Sequence, residues 1–99
     1  MRVLAIDHGT VRMGIAISDE LKMIAQPLEF IPAEPFSGFL ERLKILLQEY
    51  EVELVLLGMP RNMNGSYGEA SIKVQEFEAV LKNSIMTVSY THLTLPTKA

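Results

Sequence analysis

The stretch AIDHGTVRMGIAISD, Ala5 to Asp19, constrains this chain more than any other. An apolar run, Val3–Ile6, ends at Asp7, and Gly9 and Thr10 supply a turn signal. A second run, Met13–Ser18, alternates Ile15 and Ile17 with Gly14 and Ala16. Two short apolar runs joined by a short polar link predict an antiparallel hairpin. The hairpin leaves a carboxylate, Asp7, at the carboxyl end of the first strand.

The rest of the chain predicts what surrounds that strand. Ile24–Ile31 is expected to be a third strand, at an edge or irregular because of Pro27. Phe36, Leu40, Leu43, Leu47 and Tyr50 recur every three or four residues, which predicts an amphipathic helix with Pro35 at its first turn. Glu53–Gly58 is a near-continuous apolar run of the kind buried on both faces of a sheet. The Gly58–Gly68 segment, rich in Gly, Asn and Ser, is expected to be a loop. Ser66 and Glu69 have capping-box spacing. They open a second helix with Ala70, Val74, Phe77 and Leu81 on its buried face. Ile85–Ser89 is expected to begin a fifth strand. The order β-β-β-α-β-α-β predicts an α/β fold, a mixed sheet with helices on its faces. Asp7 and the Gly58–Gly68 loop then share the sheet edge where open α/β folds bind ligands.

Ninety-nine residues hold at most one domain. Nine Lys and Arg against twelve Asp and Glu leave a net charge of −3, which argues against a strongly basic nucleic-acid binder. Cysteine is absent, which removes disulfides, thiolate metal sites and cysteine nucleophiles. No apolar run approaches a membrane span and the first is too short for a signal peptide, so a soluble cytoplasmic protein is expected.

Asp7 has a structural and a functional reading. In the first it accepts backbone N–H bonds from Gly9 and Thr10. In the second it is an oxygen ligand for a hard cation, Mg²⁺ or Mn²⁺. Asp-x-Gly-Thr occurs both in sugar-kinase-like phosphotransferases and in ribonuclease H-like nucleases. The kinase fold needs two such domains, and this chain has room for one. The longer pattern Asp7-x-Gly9-x-x-Arg12-x-Gly14-x-Ala16-x-Ser18-Asp19 resembles the opening of the YqgF/RuvX family. So does Val55-Leu56-Leu57-Gly58-Met59-Pro60 followed by Asn64-Gly65-Ser66. These are pre-16S rRNA nucleases, also described as Holliday-junction-resolvase-like proteins.

The resemblance covers roughly residues 1–86. It implies a ribonuclease H-like fold and metal-dependent endonuclease cleavage of a phosphodiester, with Mg²⁺ or Mn²⁺ as cofactor. Asp7 is the expected catalytic carboxylate and metal ligand. Gly9, Thr10, Arg12, Arg61 and Asn64 are expected at the substrate backbone. Expected partners are pre-16S rRNA, junction DNA and the ribosome, with no membrane. The family's other carboxylates, an Asp-Glu-Arg block and a late Asp pair, have no match here, so the chain alone is expected to be inactive. Ser89–Ala99 bears no such resemblance and reads as appended linker sequence, so the domain is expected in 1–88. Asp19 is set on the order of 20 Å down the hairpin from Asp7, too far to share an ion. Glu69 fits best as the capping partner of Ser66. His8 is expected at the surface or in the turn, Lys73 and Lys82 on a solvated helix face, and the methionines in the core. A non-catalytic nucleic-acid-binding module is the alternative outside the enzymes.

Overall fold

The computed structural model describes residues 2–9, 11–18, 26–61 and 69–96. Seven elements follow the expected order: β1 (Val3–Asp7), β2 (Arg12–Ser18), β3 (Gln26–Pro32), α1 (Phe36–Glu49), β4 (Leu54–Arg61), α2 (Glu69–Ser84) and β5 (Ser89–Pro96). They build one five-stranded sheet in the order β3-β2-β1-β4-β5. β1 pairs antiparallel with β2, from Val3 with Ser18 to Asp7 with Gly14. It pairs parallel with β4, from Val3 with Leu54 to Ile6 with Leu57. β3 is an edge strand, and its register against β2 shifts between Ile15 and Ala16, beside Pro27. None of the helices is long and apolar enough to cross a membrane, among the described residues.

Both helices lie on one face of the sheet, not one on each. The β3-α1-β4 and β4-α2-β5 connections advance in the same direction across the sheet. Right-handed crossovers then place both helices on the same side. Leu4, Ile6, Met13, Ile15, Val55 and Leu57 face them and join Phe39, Leu43, Leu46, Leu47, Val74, Phe77 and Leu81 in the core. The opposite face carries Ala5, Asp7, Gly14, Leu54 and Leu56. β4 is therefore covered on one side only: Val55 and Leu57 are fully buried, while Leu54 and Leu56 keep partial exposure.

Other boundaries move for local reasons. α1 buries Phe39, Leu43, Leu46 and Leu47, one step round from the stripe that Phe36, Leu40 and Tyr50 suggested. β4 runs on through Met59, Pro60 and Arg61, where a loop was expected. Past Leu57 it pairs with β5 alone. That tolerates Pro60, which has no N–H to donate on its other side. β5 begins at Ser89 rather than Ile85. The Ile85 amide still bonds to the Leu81 carbonyl at 2.7 Å, one more helical turn, and its side chain is buried. Ser89–Pro96, expected outside the domain, pair with β4 along its whole length. Met13 is a core methionine, but Met86 is 82% exposed. Ile24, Asp19 and Ser66 lie outside the described residues.

Candidate active site

The first two strands place Asp7 at the carboxyl end of a central strand, with its side chain exposed. Gly9 makes the tight return possible. A Cβ on Gly9 would collide with the carbonyl oxygen of Arg12, so only a residue without one fits there. The tip is tied to the next strand by the Ala33 amide, which bonds to the Val11 carbonyl at 2.9 Å.

His8 turns the other way from Asp7, toward the helices. Its ring meets Phe77 edge-on, with centroids 5.0 Å apart. Phe77 in turn packs on Phe39 and Phe36, at 5.6 and 6.2 Å. His8 is thus half-buried on an aromatic cluster rather than a surface group. Burial lowers its pKa, the positive charge of Lys73 lowers it further, and Asp7 opposes both. Lys73, though solvent-exposed, therefore belongs to the electrostatics of this edge.

Arg12 is exposed on β2, and its guanidinium carbon lies 4.8 Å from the centroid of the Phe30 ring. Of the other expected substrate contacts, Arg61 is the last residue of β4 rather than a loop residue. Extending the β1–β4 register by one brings Gly58 level with Asp7, so Arg61 is carried past the Asp7 level. Thr10 and Asn64 lie outside the described residues.

One carboxylate is a small share of a metal centre. Among the described residues no group of three or more His, Cys, Asp or Glu is placed to hold an ion. β5 brings Leu93 and Thr94 to the level of Gly58 and Met59, where no carboxylate is available. His92 and Lys82 both contact Glu78 on α2, at 2.9 and 3.5 Å, so the tail histidine is engaged with that carboxylate.

The model of the family described as "RuvX: Holliday junction resolvase" matches residues 1–95. The chain belongs to the RuvX family. A protein of Halothermothrix orenii named "Putative pre-16S rRNA nuclease" is 42% identical over 87 residues, covering 88% of this chain and 62% of that protein. One of Clostridium novyi with the same name is 40% identical, covering 86% and 63%. This RuvX chain therefore spans about three fifths of the curated relatives it matches. Among solved structures, RuvC of Thermus thermophilus superposes with a TM-score of 0.62 at 14% identity, covering 95% of this chain and 64% of RuvC. RuvC in complex with a Holliday junction substrate gives 0.63 at 20%, covering 95% and 65%. These likenesses establish the ribonuclease H-like fold for this RuvX-family chain.

The signal missed in the sequence is Phe30. It sits between Glu29 and Ile31 in a strand, and its neighbours across the sheet depend on a register shift that residue patterns do not display.

Proposed function

We propose that this chain is part of a divalent-metal-dependent endonuclease that hydrolyses a phosphodiester in structured RNA. The substrate in this reading is precursor 16S rRNA met during ribosome assembly, with junction DNA as the alternative. The observation that carries it is the placement of Asp7. An exposed carboxylate ends the central strand beside a glycine-shaped turn, with Arg12 exposed at the start of the neighbouring strand. The names of the curated relatives support the same class of reaction.

Mg²⁺ or Mn²⁺ hydrolysis requires several oxygen ligands around the ion. Asp7 suits one position, and the described residues do not complete the set. No catalytic step is therefore assigned within this stretch. Asp7 projects from the helix-free face, so in this reading the remaining carboxylates arrive over that face. Gly9, Thr10, Arg12, Arg61 and Asn64 are proposed to shape the phosphate site.

The deciding experiment is Asp7→Asn in a full-length form, with cleavage of a precursor rRNA measured in Mg²⁺ and Mn²⁺. Loss of cleavage with intact folding is expected. Unchanged cleavage removes Asp7 from the reaction. The lone carboxylate favours a second reading for the 99-residue chain itself, nucleic-acid binding without turnover. Filter binding with and without Mg²⁺ separates the two.

A further inference from the structure

Asp7, Gly14 and Phe30 stand side by side on three neighbouring strands. Asp7 pairs with Gly14, and Gly14 pairs with Phe30. Directly paired residues share a face of the sheet. All three therefore lie on the side that carries no helix among the described residues. Gly14 contributes no side chain to the row. A Cβ there would sit 3.4 Å from Phe30 Cε1 and 3.5 Å from the Asp7 Cβ. The gap between Asp7 and the ring is thus no wider than one methyl group.

Phe30 is 67% exposed, while the aromatic cluster of Phe36, Phe39 and Phe77 lies on the opposite side of the sheet. Leaving such a ring in water forgoes the free energy of burying it. The ring is instead held by the Arg12 guanidinium, 4.8 Å from its centroid. A groove of about 370 Å³ between β3 and the start of α1, lined by Glu29, Ile31, Gly38, Phe39 and Arg42, also reaches Phe30 but opens on the helix side of the sheet. An exposed ring and a guanidinium over it are the parts of a nucleobase-stacking site.

We propose that Phe30 and Arg12 form a seat for one unpaired nucleobase beside Asp7. The base stacks on the Phe30 ring, and Arg12 meets the phosphate of the same nucleotide. Every base offers a π-face, so the seat selects an unpaired nucleotide rather than a sequence. It deepens the nuclease reading by naming a substrate feature: the nucleotide next to the cut is single-stranded or flipped out. The geometry at Asp7 rests on that reading, whereas stacking itself requires no cleavage.

The test uses the 99-residue chain in EDTA and a single-stranded oligonucleotide whose one base is 2-aminopurine, every other position being abasic. Stacking is read as fluorescence quenching, and affinity by anisotropy of an end label. Wild type is expected to bind and quench. Phe30→Leu is expected to bind about tenfold more weakly without quenching, and Phe30→Tyr to keep both, given the usual strength of base–aromatic stacking. With an abasic site in place of 2-aminopurine, wild type and Phe30→Leu are expected to bind alike. Equal affinity of the two for the intact oligonucleotide overturns the proposal, as does an equal loss on the abasic one. It also falls if Phe30→Leu in a full-length form lowers the Tm by several degrees while affinity is unchanged, because the chain's own continuation then covers the ring. Cleavage is read separately in Mg²⁺. A protein that stacks a base in EDTA but never cuts keeps this proposal and sinks the nuclease reading.

Discussion

Arg42 grips Glu29 with two parallel hydrogen bonds, Nε at 2.8 Å and Nη2 at 2.7 Å, and so ties α1 to the edge strand β3. The Arg42 hydrogen bonds hold the Glu29 carboxyl below its usual pKa of 4.5. The unfolded chain, with the ordinary value, takes up the proton first as pH falls. Stability from this pair is therefore fully present above about pH 4.5 and is lost as pH drops through the lowered folded value. Glu29→Gln is expected to be less stable than wild type at pH 7, with the difference shrinking as pH falls below 4.5. Urea unfolding across that range checks this, and a difference that does not shrink refutes it.

Glu51 closes α1 in a left-handed conformation, with φ of 52°. Its amide bonds to the Gln48 carbonyl at 3.2 Å and the Val52 amide to the Leu47 carbonyl at 2.9 Å. That is the Schellman pattern, with the position usually given to glycine filled by a residue that has a Cβ. A left-handed non-glycine residue costs about 1–2 kcal/mol, partly offset by the greater chain entropy that glycine loses. Glu51→Gly is expected to stabilise the domain by about 0.5–1 kcal/mol, a few degrees in Tm at this size. A lower Tm would show that Glu51 makes an interaction worth more than the strain.

The hairpin and the element order were legible because they rest on local patterns: alternation over Met13–Ser18, and the turn around Gly9. The buried stripe of α1 was not. Apolar side chains at 36, 39, 40, 43, 46 and 47 offer two overlapping stripes, and only the packing against β1 and β4 selects Phe39 and Leu46. Pro60 looked like a loop residue because a proline inside a paired strand is costly; the strand has lost one neighbour by that point. Placing both helices on one face follows from crossover handedness and strand order together, and strand order is a long-range property. The exposed position of Asp7 at the end of β1 was legible from the apolar run that ends there. Phe30 was not, since its alignment with Gly14 depends on the irregular β2–β3 register.

Tyr90 ties the last strand to the end of α2. Its hydroxyl lies 2.8 Å from the Ile85 carbonyl and 3.2 Å from that of Leu81. The Ile85 carbonyl sits just past the end of α2, where a helix runs out of partners, while that of Leu81 already accepts the Ile85 amide. Burial, reinforced by Glu78, raises the phenol pKa, so the donor proton is kept into alkaline solution. Tyr90→Phe keeps the ring and removes the donor, at an expected cost of about 1 kcal/mol. Chemical denaturation at pH 7 measures it. No change would mean that water satisfies both carbonyls equally well.

Gly9 carries the shape of the turn that aims Asp7. A methyl group at this position would run into the Arg12 carbonyl oxygen, a backbone atom that cannot swing away as a side-chain tip can. Relief requires the turn to open, and the first pair to loosen is Asp7 with Gly14, the last rung of the β1–β2 ladder. Gly9→Ala is therefore expected to cost about 1–3 kcal/mol of stability, within the range of substitutions that strain a special backbone site. The effect on function should exceed the effect on folding. At a temperature where the variant is still folded, displacement of Asp7 and Arg12 together should lower nucleic-acid affinity as well as any metal-dependent cleavage by a full-length form. Amide chemical shifts in the 5–16 segment report whether the hairpin has moved. A variant with wild-type stability and unshifted amides would show that the turn accommodates a side chain, and Gly9 would lose its place in the architecture of the site.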